Sequence, residues 1–280
     1  MEHPSNARQF LLSNFTNTNS YFDTEKKILN ESFPLHYHNY FEIELISSGH
    51  GVEMINQHEI QIVPGLIYLL SPTDVHEYEI NDEVKIHTIS FDYPLVSPSF
   101  LPTLYNNNVE DFIFILDEKE LKLTKNLFNA IMREYKVNDE YSTTNIQYLL
   151  NIIISLFIRR LPKKNYREIC DDKIILAINH ILIHFNENPS LEEVANLVGY
   201  NPSYFSTLFK KQTQRSYSEY LLDLKLSHAK KLLKINKLST SEISLSSGFE
   251  SISNFNRFFK KKVGITPTQY KKKHLNNLNK

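Results

Sequence analysis

The sequence repeats itself between residue 171 and the C-terminus, and that repeat restricts the fold more than any other feature. Ser190-Leu191-Glu192-Glu193 is a capping box: the serine hydroxyl accepts from a backbone N–H of the first turn while the Glu193 side chain reaches back. Ser239-Thr240-Ser241-Glu242 has the same form 49 residues later. Gly199-Tyr200 recurs as Gly248-Phe249, a tight turn where a residue without Cβ takes positive φ. After a one-residue insertion, Phe205, Phe209, Lys210, Lys211 and Tyr220 recur as Phe255, Phe259, Lys260, Lys261 and Tyr270. Ser216-x-x-Glu219 likewise recurs as Thr266-x-x-Gln269. Each unit, at about 190–211 and 239–261, predicts a capped helix, a glycine turn and a second helix. That is a helix-turn-helix, whose second helix fits the major groove of duplex DNA.

Helical spacing then assigns faces. In the first unit Phe205, Leu208 and Phe209 turn inward, leaving Ser203, Ser206, Thr207 and Lys210 outside, flanked by Tyr204 and Lys211. The second unit exposes Ser253, Asn256, Arg257 and Lys260, flanked by Asn254 and Lys261. Arg257 can pair bidentately with guanine and Asn256 with adenine, whereas Ser206 and Thr207 discriminate weakly. Lys210, Lys211, Lys260, Lys261 and Lys262 suit phosphate contacts, which position without specifying. Between the units, Tyr217 to Asn236 reads as one helix with Leu221, Leu224, Ala229, Leu232 and Leu233 buried and Lys225, Lys230, Lys231 and Lys234 outside. Such a helix spans about 30 Å, close to the roughly 34 Å of one DNA turn, so both second helices could enter successive major grooves.

Charge divides the chain at the same place. Residues 1–160 carry 11 Lys and Arg against 22 Asp and Glu, net −11; residues 161–280 carry 20 against 10, net +10. The basic half fits an anionic partner and the acidic half does not. With 22% charged and 41% hydrophobic residues the composition is that of a globular chain of about two domains. The longest apolar run, Leu149 to Ile158, is broken by Asn151 and Ser155 and falls short of a membrane span. The first residues have no basic segment followed by an apolar one, so a cytoplasmic protein is expected. Cys170 is the only cysteine, which excludes an internal disulfide or a multi-cysteine metal site.

The acidic half reads as short strands and then two helices. Tyr40–Ser47, Gly51–Ile55, Glu59–Val63, Leu66–Leu70, His76–Ile80 and Val84–Phe91 are separated by turn residues at the spacing of an antiparallel barrel or sandwich. Pro94 to Asn108 reads as an irregular connection. A helix then carries the stripe Leu121, Phe128, Ile131, Met132 and Tyr135, and a second carries Ile146, Leu149, Leu150, Ile153 and Phe157. Ile152, Ile154, Leu156 and Ile158 extend the second stripe nearly all round, so this helix is buried on more than one side, by its own domain or by a second subunit. The expected division is 1–116 strand-rich domain, 117–161 helical hairpin, 162–170 linker and 171–280 DNA-binding domain.

Two resemblances sharpen this reading. Ser190 to Lys272 resembles the DNA-binding domain of the AraC family of bacterial transcription regulators. The matching residues include Leu191-Glu192-Glu193-Val194-Ala195, Gly199-Tyr200, Phe209-Lys210-Lys211, Ala229-Lys230-Lys231-Leu232-Leu233, Gly248-Phe249, Phe258-Phe259-Lys260-Lys261 and Gly264-Ile265-Thr266-Pro267-Thr268-Gln269-Tyr270. Gln214 departs from the usual glycine, and Tyr217 from the usual proline or phenylalanine. In the acidic half His36-x-His38-x3-Glu42-x6-Gly49, followed by Gly65, Pro72 and His76, is similar to the two cupin motifs, with Asp74 where a glycine is usual.

The resemblances imply an α+β two-domain chain: an N-terminal cupin-like β-barrel with a helical dimerisation segment, then an all-α double helix-turn-helix. They imply a ligand-responsive, sequence-specific transcription regulator and no enzyme. A sugar or other small metabolite is the implied effector, in a pocket formed by His36, His38, Glu42, Tyr68 and His76. No cofactor is required. The alternative is a divalent metal on His36, His38, Glu42 and His76, as in a metal-dependent cupin enzyme fused to a DNA-binding domain. The apolar surface of the second helix adds a homodimer through about 141–161, the short apolar runs imply no membrane association, and family analogy adds contact with RNA polymerase and an arm over the pocket from residues 1–32.

Overall fold

Alternation along the strands decides how the N-terminal half is layered. The computed structural model describes residues 8–10, 22–56, 58–72, 74–106, 109–161, 171–235 and 237–278. Its strands are β1 (Arg8–Phe10), β2 (Phe22–Leu29), β3 (Phe33–His38), β4 (Phe41–Ser48), β5 (Gly51–Ile55), β6 (His58–Ile62), β7 (Leu66–Leu70), β8 (Val75–Ile80), β9 (Val84–Phe91) and β10 (Ile113–Ile115). They form two five-stranded sheets, ordered β1-β3-β8-β5-β6 and β10-β7-β4-β9-β2. Strand pairing among the described residues does not join the two sheets, so the expected barrel is an open two-sheet arrangement. In β4, Phe41, Ile43 and Leu45 face away from the other sheet, while Glu42, Glu44 and Ile46 lie between the sheets.

The outward face of the second sheet is covered by helices. After α1 (Leu101–Asn106) come α2 (Glu118–Val137), started by a capping box at Asp117, and α3 (Ser142–Arg160). Phe128 and Ile131 from α2, and Ile146, Leu150, Ile153, Ile154 and Phe157 from α3, share a core with Ile43, Leu45, Ile67, Leu69, Ile89 and Phe91. This resolves the alternative left open for α3: its apolar stripe packs on its own sheet and on α2. Tyr148 and Ile152 remain, 67% and 47% exposed.

Two other expectations are corrected. Residues 22–29 are no arm; they pair in eight consecutive registers with β9, and Glu25-Lys26-Lys27 had hidden the strand because only one side is covered. The connection before residue 108 contains α1, whose Leu101 and Leu104 enter the core. The linker 162–170, Cys170, Asn107, Asn108 and most of 1–21 lie outside the described residues.

The C-terminal half is helical: α4 (Asp172–His184), α5 (Leu191–Leu197), α6 (Pro202–Thr213), α7 (Tyr217–Ile235), α8 (Thr240–Ser246), α9 (Ile252–Val263) and α10 (Pro267–Leu278). Both expected capping boxes form, at Ser190 with Glu193 and at Ser239 with Glu242. The first unit buries Val194, Ala195, Phe205 and Phe209 against Ile174, Ile178, Ile181 and Tyr217. The second buries Ile243, Phe249, Phe255 and Phe259 against Leu226, Ala229, Leu232 and Leu233 of α7, and this cluster continues into Leu35, Tyr37 and Val75 of the first sheet. The two halves of the chain therefore share a core through the second unit, and Ile175 of α4 adds a second junction by joining the cluster of α2 and α3.

Candidate functional site

The repeated units present matched faces. Asn201 caps α6 and Ser251 caps α9, each accepting from a first-turn N–H. On α6, Ser203, Tyr204, Thr207, Lys210 and Lys211 are exposed and Ser206 is half-buried. On α9, Ser253, Asn256, Arg257, Lys260 and Lys261 are exposed and Asn254 is half-buried. Arg257 is held ready: its Nη2 donates to Asn254 Oδ1 at 3.1 Å and its guanidinium lies 4.8 Å from the Phe258 ring centroid. Thr207 Oγ1 instead donates to its own helix at Ser203 O, 3.1 Å away. Each helix ends in a left-handed residue, Gln214 at φ 61° and Gly264 at φ 86°.

Lys225 was expected outside and is not. It is 8% exposed; its Nζ donates to Asn188 Oδ1, at the entry of the first unit, and to Gly248 O at 2.9 Å, in the turn of the second. Burial lowers its ammonium below the ordinary lysine range. It ties the two units together across a cleft of about 400 Å³ that also includes Tyr217, Phe249 and Asn254. Lys231, also expected outside, is half-buried, and its Nζ meets Asp74 Oδ1 at 2.6 Å. Helical periodicity finds a face but not whether a neighbouring domain covers it, which is why both lysines were misassigned.

Between the sheets lies a cavity of about 310 Å³ lined by Glu25, Lys27 and Leu29 of β2, Phe33 and His36 of β3, Tyr40, Glu42, Glu44, Tyr78 and Ile86. Of the expected pocket residues, His36 and Glu42 line it. His38 and His76 sit beside Glu42, with Nε2 atoms 3.4 and 3.8 Å from the same Oε2. The His36 ring is tilted at 39° against His76, centroids 4.0 Å apart, but among the described residues only His38, Glu42 and His76 bring their ligand atoms within 4.8 Å of one another. Tyr68 is buried behind Glu44, to whose carboxylate both Tyr68 and Tyr78 donate.

Burial raises Glu44 and Glu53 above the usual carboxylate range. Burial pushes Glu42 the same way, but His38, Lys27 and His76 outweigh it and hold the carboxyl low. Burial depresses His36 to about 4 and His76 well below the usual imidazole range. Lys27, penalised by burial, is nonetheless held above its usual range by Glu42, Glu44 and Glu25. Sequence reasoning missed Lys27, Glu44 and Glu53. Glu44 was within reach, because it shares strand parity with Glu42.

Residues 25–148 match the family model described as an AraC-like ligand binding domain, and residues 180–273 match a helix-turn-helix domain. Together the two matches take in most of the chain, in this order. The chain belongs to the AraC family of transcription regulators. The transcriptional activator RhaR of Mannheimia succiniciproducens is 25% identical, over 94% of this chain and 96% of its own. YobQ, an uncharacterized regulator of Bacillus subtilis, is 35% identical over 34% of this chain and 39% of its own. The apo form of ToxT from Vibrio cholerae aligns over 91% of this chain and 98% of its own, at 13% identity and a TM-score of 0.41.

This AraC-family protein is a ligand-responsive, DNA-binding transcription regulator, with the ligand-binding domain in its acidic half and the DNA-binding domain in its basic half. Its relatives are regulators. No helix among the described residues is long and apolar enough to cross a membrane.

Proposed function

We propose that a small polar metabolite, of which a sugar is one example, enters the cavity between the sheets, and that its occupancy reaches the DNA-binding units through β3 and β8. One observation carries this reading. The two strands are paired neighbours, His36 opposite His76 and Tyr37 opposite Val75. Their alternate residues face opposite ways. His36, His38, His76 and Tyr78 face the space between the sheets, while Leu35, Tyr37 and Val75 pack with α7. Asp74 and Glu77 add ion pairs to Lys231 and Lys237, the latter at 2.5 Å. A ligand that shifts the inner side of this wall must shift its outer side, because close-packed interiors do not absorb displacement locally.

A cavity furnished with Lys27, carboxyl groups, Tyr40 and Tyr78 suits a ligand rich in hydroxyl or carboxylate groups. The exposed stripes of α6 and α9 are the proposed base-reading faces, with the flanking lysines on phosphate. Exposed Tyr148 and Ile152 on α3 are the proposed homodimer contact, in place of the buried Ile153 and Phe157. Cytoplasmic location, action without catalysis and contact with RNA polymerase follow by analogy with the family.

The test uses a metabolite found by thermal shift, since binding to the native state raises its stability by mass action. Full-length protein carrying Glu77→Gln and Lys231→Met should bind that metabolite as tightly as the natural chain, yet no longer change its DNA affinity when it does. A metabolite response undiminished in this variant would refute the relay.

A further inference from the structure

His38, Glu42 and His76 form a group that hydrogen bonding alone does not explain. All three are at most 3% exposed. The His38 and His76 Nε2 atoms make no hydrogen bond among the described residues, although both are buried. Each ring is fixed from behind. His38 Nδ1 is 2.7 Å from the Tyr40 carbonyl, which can only accept, so Nδ1 carries a proton and the neutral ring has its lone pair on Nε2. His76 Nδ1 is 3.1 Å from Glu53 Oε1, and Glu53 is itself wholly buried. Both Nε2 atoms then point at one Glu42 oxygen, at 3.4 and 3.8 Å, with all three atoms within 4.8 Å. A triangle of that size suits one ion at bond lengths of about 2.0–2.2 Å.

We propose that His38, Glu42 and His76 bind a divalent first-row transition-metal ion. Two imidazoles and one carboxylate are a recognised donor set for such ions, and it leaves coordination positions for other ligands. Turning a ligating imidazole through a hydrogen bond from its other nitrogen is how proteins orient metal ligands, and Tyr40 O and Glu53 supply that bond here. His36 lies beside the group, its ring tilted against His76, and adds no nitrogen to it. Glu42 also lines the 310 Å³ cavity, so the ion borders the proposed effector space. The inference rests on reading that cavity as the sensor pocket and narrows its ligand to one with oxygen donors, a carboxylate or adjacent hydroxyls, that can complete the coordination.

The experiment uses full-length protein freed of any histidine tag and stripped by chelator. Co²⁺ is titrated as a visible-absorbing probe and Zn²⁺ by calorimetry. About one ion per chain is expected, with d–d absorption for Co²⁺, displacement of Co²⁺ by Zn²⁺, and a rise in thermal midpoint. His38→Ala and His76→Ala should each weaken binding at least tenfold, and Glu53→Gln about 10–100-fold, whereas His50→Ala, at an exposed position, should bind as the natural chain does. Near-UV circular dichroism and DNA binding check that each variant is folded. Should the histidine variants not fold, the natural chain decides: an occupancy below about one-tenth of an ion after titration and dialysis overturns the proposal. So does binding that persists undiminished in folded His38→Ala and His76→Ala. If the stripped chain takes no ion but still responds to metabolites by thermal shift, the metal site falls and the effector reading stands.

Discussion

The two helix-turn-helix units share a sequence pattern but not a source of stability. The first closes its core wholly with residues of the DNA-binding half, from Ile174 to Leu224. The second closes its core on α7 and then on Leu35, Tyr37 and Val75 of the sensor. The turn glycines differ too, in how closely the rest of the DNA-binding half approaches them. A Cβ on Gly199 would meet only the end of the Lys173 side chain at 3.6 Å, whereas one on Gly248 would lie 2.6 Å from Asn186 Cα. The second unit thus shares its own core with the sensor, whereas the first meets the sensor only through Ile175 on the far side of α4, and the second carries Arg257, the side chain best suited to reading a base.

The largest expected difference is between two matched substitutions. Gly199→Ala faces only the positive-φ penalty, about 1–2 kcal/mol, whereas Gly248→Ala also drives a methyl into backbone and should cost more than about 3 kcal/mol. Urea denaturation of the full chain measures both; equal costs would remove the asymmetry. Next is Lys225→Met, which keeps the stem but leaves Gly248 O and Asn188 without their donor. A loss of about 1–3 kcal/mol in stability is expected. DNA affinity should fall with no change in its salt dependence, because Lys225 is a buried strut between the units and no phosphate contact.

Readout on DNA comes next. Arg257→Ala should cost about 1–3 kcal/mol on a specific duplex and relax preference at one base pair, while Lys260→Ala weakens all sequences alike and lowers the salt slope by about one. Equal weakening by Arg257→Ala on specific and scrambled duplexes would move base reading to the first unit. The smallest effect is at the exit turns. Gln214 holds a left-handed conformation that its counterpart Gly264 adopts without strain, so Gln214→Gly should stabilise the chain by up to about 1 kcal/mol, measured by thermal unfolding.

What the sequence made legible was local, and what it hid was long-range. Capping boxes, turn glycines and aromatic spacing depend on residues within one unit, and Ser190, Ser239, Phe205 and Phe255 all fold as that spacing implies. The cupin-like spacing likewise pointed to His38, Glu42 and His76, which the fold brings together. Burial by a distant segment left no such mark. Lys225 and Lys231 look solvated by periodicity because nothing local announces Gly248 or Asp74. Ile153 and Phe157 look available to a second subunit because the sheet that covers them comes from residues 41–91. Tyr68 was expected to line the pocket, yet its hydroxyl is used to hold Glu44.

Hydrogen exchange on the full chain, natural and Val75→Asp, tests the central claim most directly, because it reads each unit separately. Val75 is fully buried where the sensor meets α7, and a carboxylate there must open that contact. Exchange should rise in α7, α8 and α9 and stay unchanged in α5 and α6. A uniform rise across both units, or none in either, would contradict an account in which the contact of β3 and β8 with α7 couples the sensor to the second unit.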